Sequence, residues 1–325
     1  MRKHIRILFC NVLILTLAAG CSSKRGATIE FLRFEKVVFD TPQQQMATRL
    51  AEFKKAYPCP MLNIYPDNAE YMHNLMDFAS DNIMRSIYQS VMTHYADLRW
   101  LEKEVGNAMA KAHKLMDDID IEHYATFVSG LLDYSQRIVV DRDSRSLLVS
   151  IDQYVLPYME KHSYFDLPMY IVERCDSSLI ASDIMAEVAR QYIASPDEDN
   201  TTMLDLMVAE GKVLYFLDKT MPGKEDRLKI RYSEEQMEWA RKNESNIWKY
   251  FIQNNLLYEK DYNRYHNFVD EAPKTNAFKD SAPRTTDYIG WQIVRRYMEN
   301  SGSSLADLFA NNDSQQILQQ SKYKP

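Results

Sequence analysis

The sequence predicts a predominantly helical α+β fold, a single domain with a small sheet, on three observations. Glycine is scarce, eight in 325 residues, while methionine and tyrosine are plentiful at 17 and 21, a balance that favours helices over a glycine-turned all-β fold. Several long stretches carry apolar residues at steps of three and four, the spacing of one helix face. Between them lie a few short, β-rich runs bounded by turn residues.

The elements follow in order. Arg2, Lys3 and Arg6 precede an apolar run from Ile7 to Ala19 that is interrupted only by Asn11 and Thr16. A membrane span needs about 20 apolar residues, so this shorter run reads as a signal peptide over 1–20. It ends in Leu17-Ala18-Ala19-Gly20-Cys21, small residues that admit a peptidase and then a thiol that can carry diacylglycerol. Cys21 is therefore the expected lipidation site, although a strict lipoprotein pattern prefers leucine at the position of Ala18. The alternative is an ordinary secretory signal with a chance cysteine. Residues 21–28 form the anchor and tether, 29–311 the domain, and 312–325 a flexible, polar tail.

Within the domain, Ile29 to Phe39 alternates and reads as a strand, and His94 to Met116 carries the stripe Leu98, Leu101, Val105, Met109, Ala112, Met116 of one amphipathic helix. Tyr124–Val128 and Ser146–Ile151 read as strands, with a turn at Asp141-Arg142-Asp143-Ser144. Helical spacing returns over 180–194, 202–218, 233–254 and 286–300.

Removing the three basic residues of the leader leaves 36 basic against 46 acidic residues, a net charge of −10 that argues against nucleic acid or anionic lipid headgroups as a partner. Cys59 and Cys175 remain beside Cys21, and could pair or stay as two buried thiols. No Walker loop, dinucleotide fingerprint or nucleophile elbow is present.

The most informative residues lie on two neighbouring helices. Ala186-Glu187-Val188-Ala189-Arg190 stands in the frame of a His-Glu-x-x-His zinc helix, where residues i and i+4 share a face and grip one metal ion. Glu210-Gly211 lies twenty residues beyond Arg190, near where zinc peptidases of the gluzincin class place a third ligand. Four further segments belong with these: Leu147 to Asp152, Leu167 to Tyr170, Met207 to Leu217, and Pro283-Arg284 through Tyr288 to Val294. In their order, with the cysteine motif and the length, they resemble the gliding motility-associated lipoprotein GldB family of Bacteroidota. That family in turn is similar to zincin-like peptidases, so the resemblance implies a zincin-like domain with a degenerate zinc helix.

The metal pattern fails where it matters. Ala186 offers no ligand atom and Arg190 places a permanent cation where the metal would sit. No catalytic residue, metal or cofactor is expected. Glu210 falls on the apolar stripe Met203, Met207, Leu214, Leu217, so it needs a partner. Arg190 is expected to bridge Glu210, and Glu187 with it, as a buried pair in place of the metal. The competing reading leaves Glu210 at the helix edge and Arg190 in solvent.

The resemblance implies a non-catalytic, lipid-anchored, periplasm-facing envelope protein that supports a gliding or secretion machine. Its partners would be the membrane, through the lipid, and other envelope proteins. Two alternatives differ in class. One is a divergent peptidase acting through Glu187 and Glu210. The other is a glycan- or peptide-binding protein using the aromatic cluster Trp239, Trp248, Tyr250, Phe251, Tyr258 and Tyr262, which at helical spacing also reads as packing.

Overall fold

The computed structural model describes residues 29–130, 137–159, 167–194 and 200–325; the leader, Cys21 and the tether lie outside them. Strand β1 (Phe31–Arg33) runs directly into helix α1 (Phe34–Asp40). Only the start of the expected Ile29–Phe39 strand is thus extended. The reason is burial: Phe34 and Val38, then Glu35 and Phe39, bury at steps of four, and that helical spacing overrides the β propensity of the run. Phe34 packs 5.0 Å from Phe53, and Phe39 stacks on Tyr88 at 4.7 Å.

A crossover of helices follows, α2 (Met46–Ala56), α3 (Ala69–Ser80), α4 (Asn82–His94) and α5 (Arg99–Leu115). Asn68 and Asp81 cap α3 and α4 with their side chains. The helix expected from His94 onward is broken at its start. His94 ends α4, the Tyr95 hydroxyl donates to the Tyr154 carbonyl at 2.6 Å, and Asp97 receives the Arg99 N–H at 2.9 Å before α5 begins. The expected stripe survives, with Leu101, Val105, Met109 and Ala112 buried on α5.

Strands β2 (His123–Phe127), β3 (Ile138–Asp141) and β4 (Ser146–Ser150) complete a four-stranded sheet of order β1-β2-β4-β3. All neighbours are parallel except β3 with β4. The parallel β1–β2 pair requires a long crossover, which helices α1 to α5 supply. The β3–β4 turn stands where expected: the Asp141 carboxylate accepts the Asp143 N–H at 3.1 Å and the Ser144 hydroxyl at 2.6 Å. Side chains alternate across the sheet, so Val139, Leu148 and Phe127 share one face while Ile138, Val140, Leu147 and Val149 share the other. A 3₁₀ segment, Ile151–Tyr158, leaves β4, and its buried Asp152 accepts from the N–H groups of Ser129 and Gly130 and from the hydroxyls of Ser129 and Ser150.

The second half is helical: α6 (Met169–Val172), α7 (Ser177–Arg190), α8 (Met203–Thr220), α9 (Asp226–Ile230), α10 (Glu234–Gln253), α11 (Tyr262–Val269), α12 (Thr285–Ser301), α13 (Leu305–Ala310) and α14 (Ser314–Ser321). Helix α7 lies against β3 and α8, and α8 and α12 form the central pair. Thr202 and Asp205 make a capping box at the start of α8. Where α8 crosses α12, a Cβ built on Gly290 would stand 1.8 Å from the Met207 carbonyl oxygen, and one on Gly211 would stand 2.3 Å from that of Gly290. Only glycine lets the two backbones approach so closely.

The C-terminal residues are not a loose tail. Asp313 caps α14, Ile317 and Tyr323 are buried, and the Tyr323 hydroxyl donates to Glu244 at 2.9 Å. Two apolar anchors among polar residues are enough to dock this helix, which composition alone conceals. Trp248 meets Tyr323 edge-on, Trp239 and Tyr250 pack on Phe278, and Phe251 packs on Phe268, so Phe251 is core and the other three pack partly buried against it. Cys59 and Cys175 are both free and buried. Among the described residues no helix is long and apolar enough to cross a membrane.

Candidate functional site

Helix α7 turns Asp183, Glu187 and Arg190 to one side, as spacings of four and three on a helix do. They line a cleft of about 200 Å³ together with Ala186, Glu210 on α8, Arg137 and Ile138 at β3, Lys229 and Arg231 at α9, and Arg284 and Asp287 at the start of α12. Strand β3 therefore offers its Ile138 face to the cleft.

Arg190 and Glu210 meet as anticipated. Nη2 of Arg190 donates to both Glu210 carboxylate oxygens, at 2.7 and 2.9 Å, and Nη1 lies 3.6 Å from Glu187. Their burial is less than anticipated, because the Arg190 side chain is 43% exposed and that of Glu210 24%. The pair stands at the open mouth of the cleft, where the groove between α7 and α8 admits solvent. Glu210 beside it, against the opposing effect of burial, holds the Arg190 guanidinium above its ordinary range. Ala186 packs partly buried against the core.

Deeper in, the polar side chains are tightly matched. Asp183 accepts the Tyr154 hydroxyl at 2.9 Å and lies 3.4 Å from Arg231 Nε and 3.6 Å from Arg137 Nη2. Arg284, in the left-handed region at φ 43°, donates to Asp287 at 3.0 Å and to the Ile230 carbonyl at 2.7 Å. Burial pushes the Asp287 carboxyl up to about 7; Arg284 opposes this and the nearby Glu210 adds to it. Behind the cleft, Asp218 accepts from Arg295 Nε at 2.7 Å, Lys229 at 2.8 Å and Trp291 Nε1 at 2.9 Å. Burial works against the Asp218 carboxylate, yet the bonds from Arg295 and Lys229 hold it below its ordinary range.

Sequence reasoning found the α7–α8 pair and missed the deeper residues. Asp183 was legible, four before Glu187 on the same face. Asp287, Arg137 and Arg231 come from distant segments that only the tertiary fold brings together. No described histidine lines the cleft, and among the described residues no three His, Cys, Asp or Glu side chains group as metal ligands would. The arrangement can bind polar or charged groups at its mouth and hold a proton on Asp287 near neutrality.

A second cavity, of about 450 Å³, lies on the other face of the sheet. Phe34, Val38 and Phe39 of α1, Met61 and Leu62, Leu75 and Phe78 of α3, and Phe127, Val139 and Leu148 of the sheet form its apolar walls. Tyr71 lines it too, while its neighbours Met72, Met76 and Met84 pack partly buried against the core.

The family model described as gliding motility protein GldB matches residues 21–325, and the chain belongs to that family. No curated protein and no solved structure matches.

Proposed function

We propose that this chain is a non-catalytic lipoprotein of the cell envelope, held by lipid on Cys21, facing the periplasm, and supporting the assembly or action of a gliding or secretion machine through contacts with other envelope proteins. The observation that carries the reading is the family match, which begins at Cys21, the residue directly after the predicted leader. The α7–α8 geometry supports the non-catalytic part: a guanidinium bridges Glu210 and Glu187 in the frame where a zincin-like site would hold zinc. Two or three acyl chains suffice for stable attachment.

The test is Cys21→Ala in cells. The variant should accumulate as precursor or leave the membrane fraction, and should take up no labelled palmitate; normal processing and retention would sink the anchor. In the same preparations, wild-type protein should carry no stoichiometric zinc.

Asp287 favours a second reading, a divergent hydrolase, since a carboxyl poised near neutrality beside Glu210 and Arg190 can act as acid or base. Cleavage of a peptide mixture by the wild type that Asp287→Asn abolishes would replace the first reading with this one.

A further inference from the structure

We infer that the 450 Å³ cavity beneath α1 and α3 holds one acyl chain of a membrane phospholipid. Its size is that of a small-molecule site, far above the voids that a packed core leaves. Its walls are apolar, and of the polar side chains that reach it Glu35, Ser129 and Gln153 are already occupied, while Tyr71 contributes its ring to the lining. The Glu35 carboxylate accepts the Thr126 hydroxyl at 3.0 and 2.9 Å and pairs with Arg33. The Ser129 hydroxyl donates to Asp152 at 3.0 Å, and Gln153 also has its partner in the fold. The Tyr71 hydroxyl apart, no side-chain group of the lining is left to select a polar ligand, so recognition is mainly by apolar shape. That describes a hydrocarbon chain better than a peptide or a sugar, each of which would bring its own polar groups into the cavity without partners.

Position identifies the source of the chain. The cavity wall begins at Phe34, the first residue of α1, three residues after β1 starts at Phe31. From Cys21 to Ile29 the backbone can span at most on the order of 27 Å. On the anchored reading of Cys21, on which this inference rests, the cavity is therefore held against the bilayer. Met61, which lines it, is 51% exposed, and Tyr65, 50% exposed, packs edge-on against Tyr71 at 5.8 Å. Methionine is a suitable rim for such a ligand, since its unbranched thioether adapts to an apolar chain. The polar headgroup would stay in the interface while one chain turns into the protein.

The experiment uses the lipidated protein reconstituted in vesicles of phosphatidylethanolamine and phosphatidylglycerol that contain a phospholipid with a photoactivatable diazirine in one palmitoyl chain. The unlipidated mature chain, residues 21–325 with Cys21→Ala, is mixed with the same vesicles. It retains every described element. After irradiation, adducts should map to peptides of α1, α3 and β3 in the lipidated protein, and more weakly or not at all in the Cys21→Ala chain, which lacks the anchor that holds the cavity against the bilayer. Leu75→Trp and Val139→Phe, two independent ways of filling the cavity, should each lower those adducts by about tenfold, the scale of losing a few buried methylenes, with adducts elsewhere and the circular dichroism spectrum unchanged. Absence of adducts there, or folded filled variants that label as well as wild type, overturns the proposal. Labelling only of the Cys21→Ala chain means that the protein's own lipid fills the cavity, and also overturns it. The mass of the wild-type chain reports separately whether Cys21 carries lipid, so failure of the anchor and failure of the cavity are distinguishable.

Discussion

The polar cleft and the apolar cavity lie on opposite faces of one thin sheet and differ in almost every physical respect. On the Ile138 side, nine charged side chains line a cleft of about 200 Å³ and answer one another in pairs and triads. On the Val139 side, apolar walls enclose about 450 Å³ and the one charge, Glu35, is neutralised within the fold. Adjacent residues of β3 point into chemically opposite places because side chains alternate across a strand. The contrast extends to ion pairs. Arg33–Glu35 is sealed, with side chains 13% and 0% exposed, whereas Arg190–Glu210 stands open at 43% and 24%. The same chemistry therefore fastens one region and only dresses the rim of the other.

That difference can be sharpened by substitution. The largest effect is expected from Gly290→Ala, whose Cβ would overlap the Met207 backbone and push α8 away from α12. A loss of about 4 kcal/mol, at the extreme for one residue, should appear in urea unfolding. Retention of wild-type stability would show that the crossing is not rigid. Glu35→Ala follows, because it strands the Arg33 guanidinium in a sealed site; about 3 kcal/mol should be lost in the same measurement.

Next comes the proton on Asp287. Its folded value near 7 stands above the ordinary 3.8. The native state thus binds a proton that the unfolded state releases. The associated stability is fully present below about pH 4 and is lost as pH rises through 7. Between pH 8 and pH 5 the wild type should gain about 2 kcal/mol relative to Asp287→Asn, a modest fraction of what such a shift permits. Parallel pH profiles for the two proteins would refute this. The smallest effect belongs to the open pair. Arg190→Met should cost about 1 kcal/mol, and Glu210→Gln added to it should cost little more, as expected for a solvent-screened contact. A loss as large as that for Glu35→Ala would erase the contrast between the two regions.

How much of this was legible beforehand depended on range. The Arg190–Glu210 contact was readable because each residue sits on a long, strongly periodic helix, and twenty residues of separation left little choice of partner. The short strands and the Asp141 turn were readable from period two and turn chemistry. Phe34 to Phe39 was misread because β-rich residues also bury well on a helix, and the deciding contacts with Phe53 and Tyr88 come from later helices. Asp287 could not be assigned to the cleft at all, since neither its burial nor its neighbours Arg190 and Glu210 are local in sequence. The apolar cavity was likewise invisible, because residues that line a void and residues that fill a core have the same composition.

The docked C-terminal helix has a consequence for the order of assembly. Ser314 bonds to Asp205 in the capping box of α8, and α14 rests on α12, so α14 closes a unit begun more than a hundred residues before. A chain that emerges from its amino end must therefore wait for α14 before this part of its helical half is complete. A premature stop near Asn311 would leave α8 and α12 without the helix that rests on them.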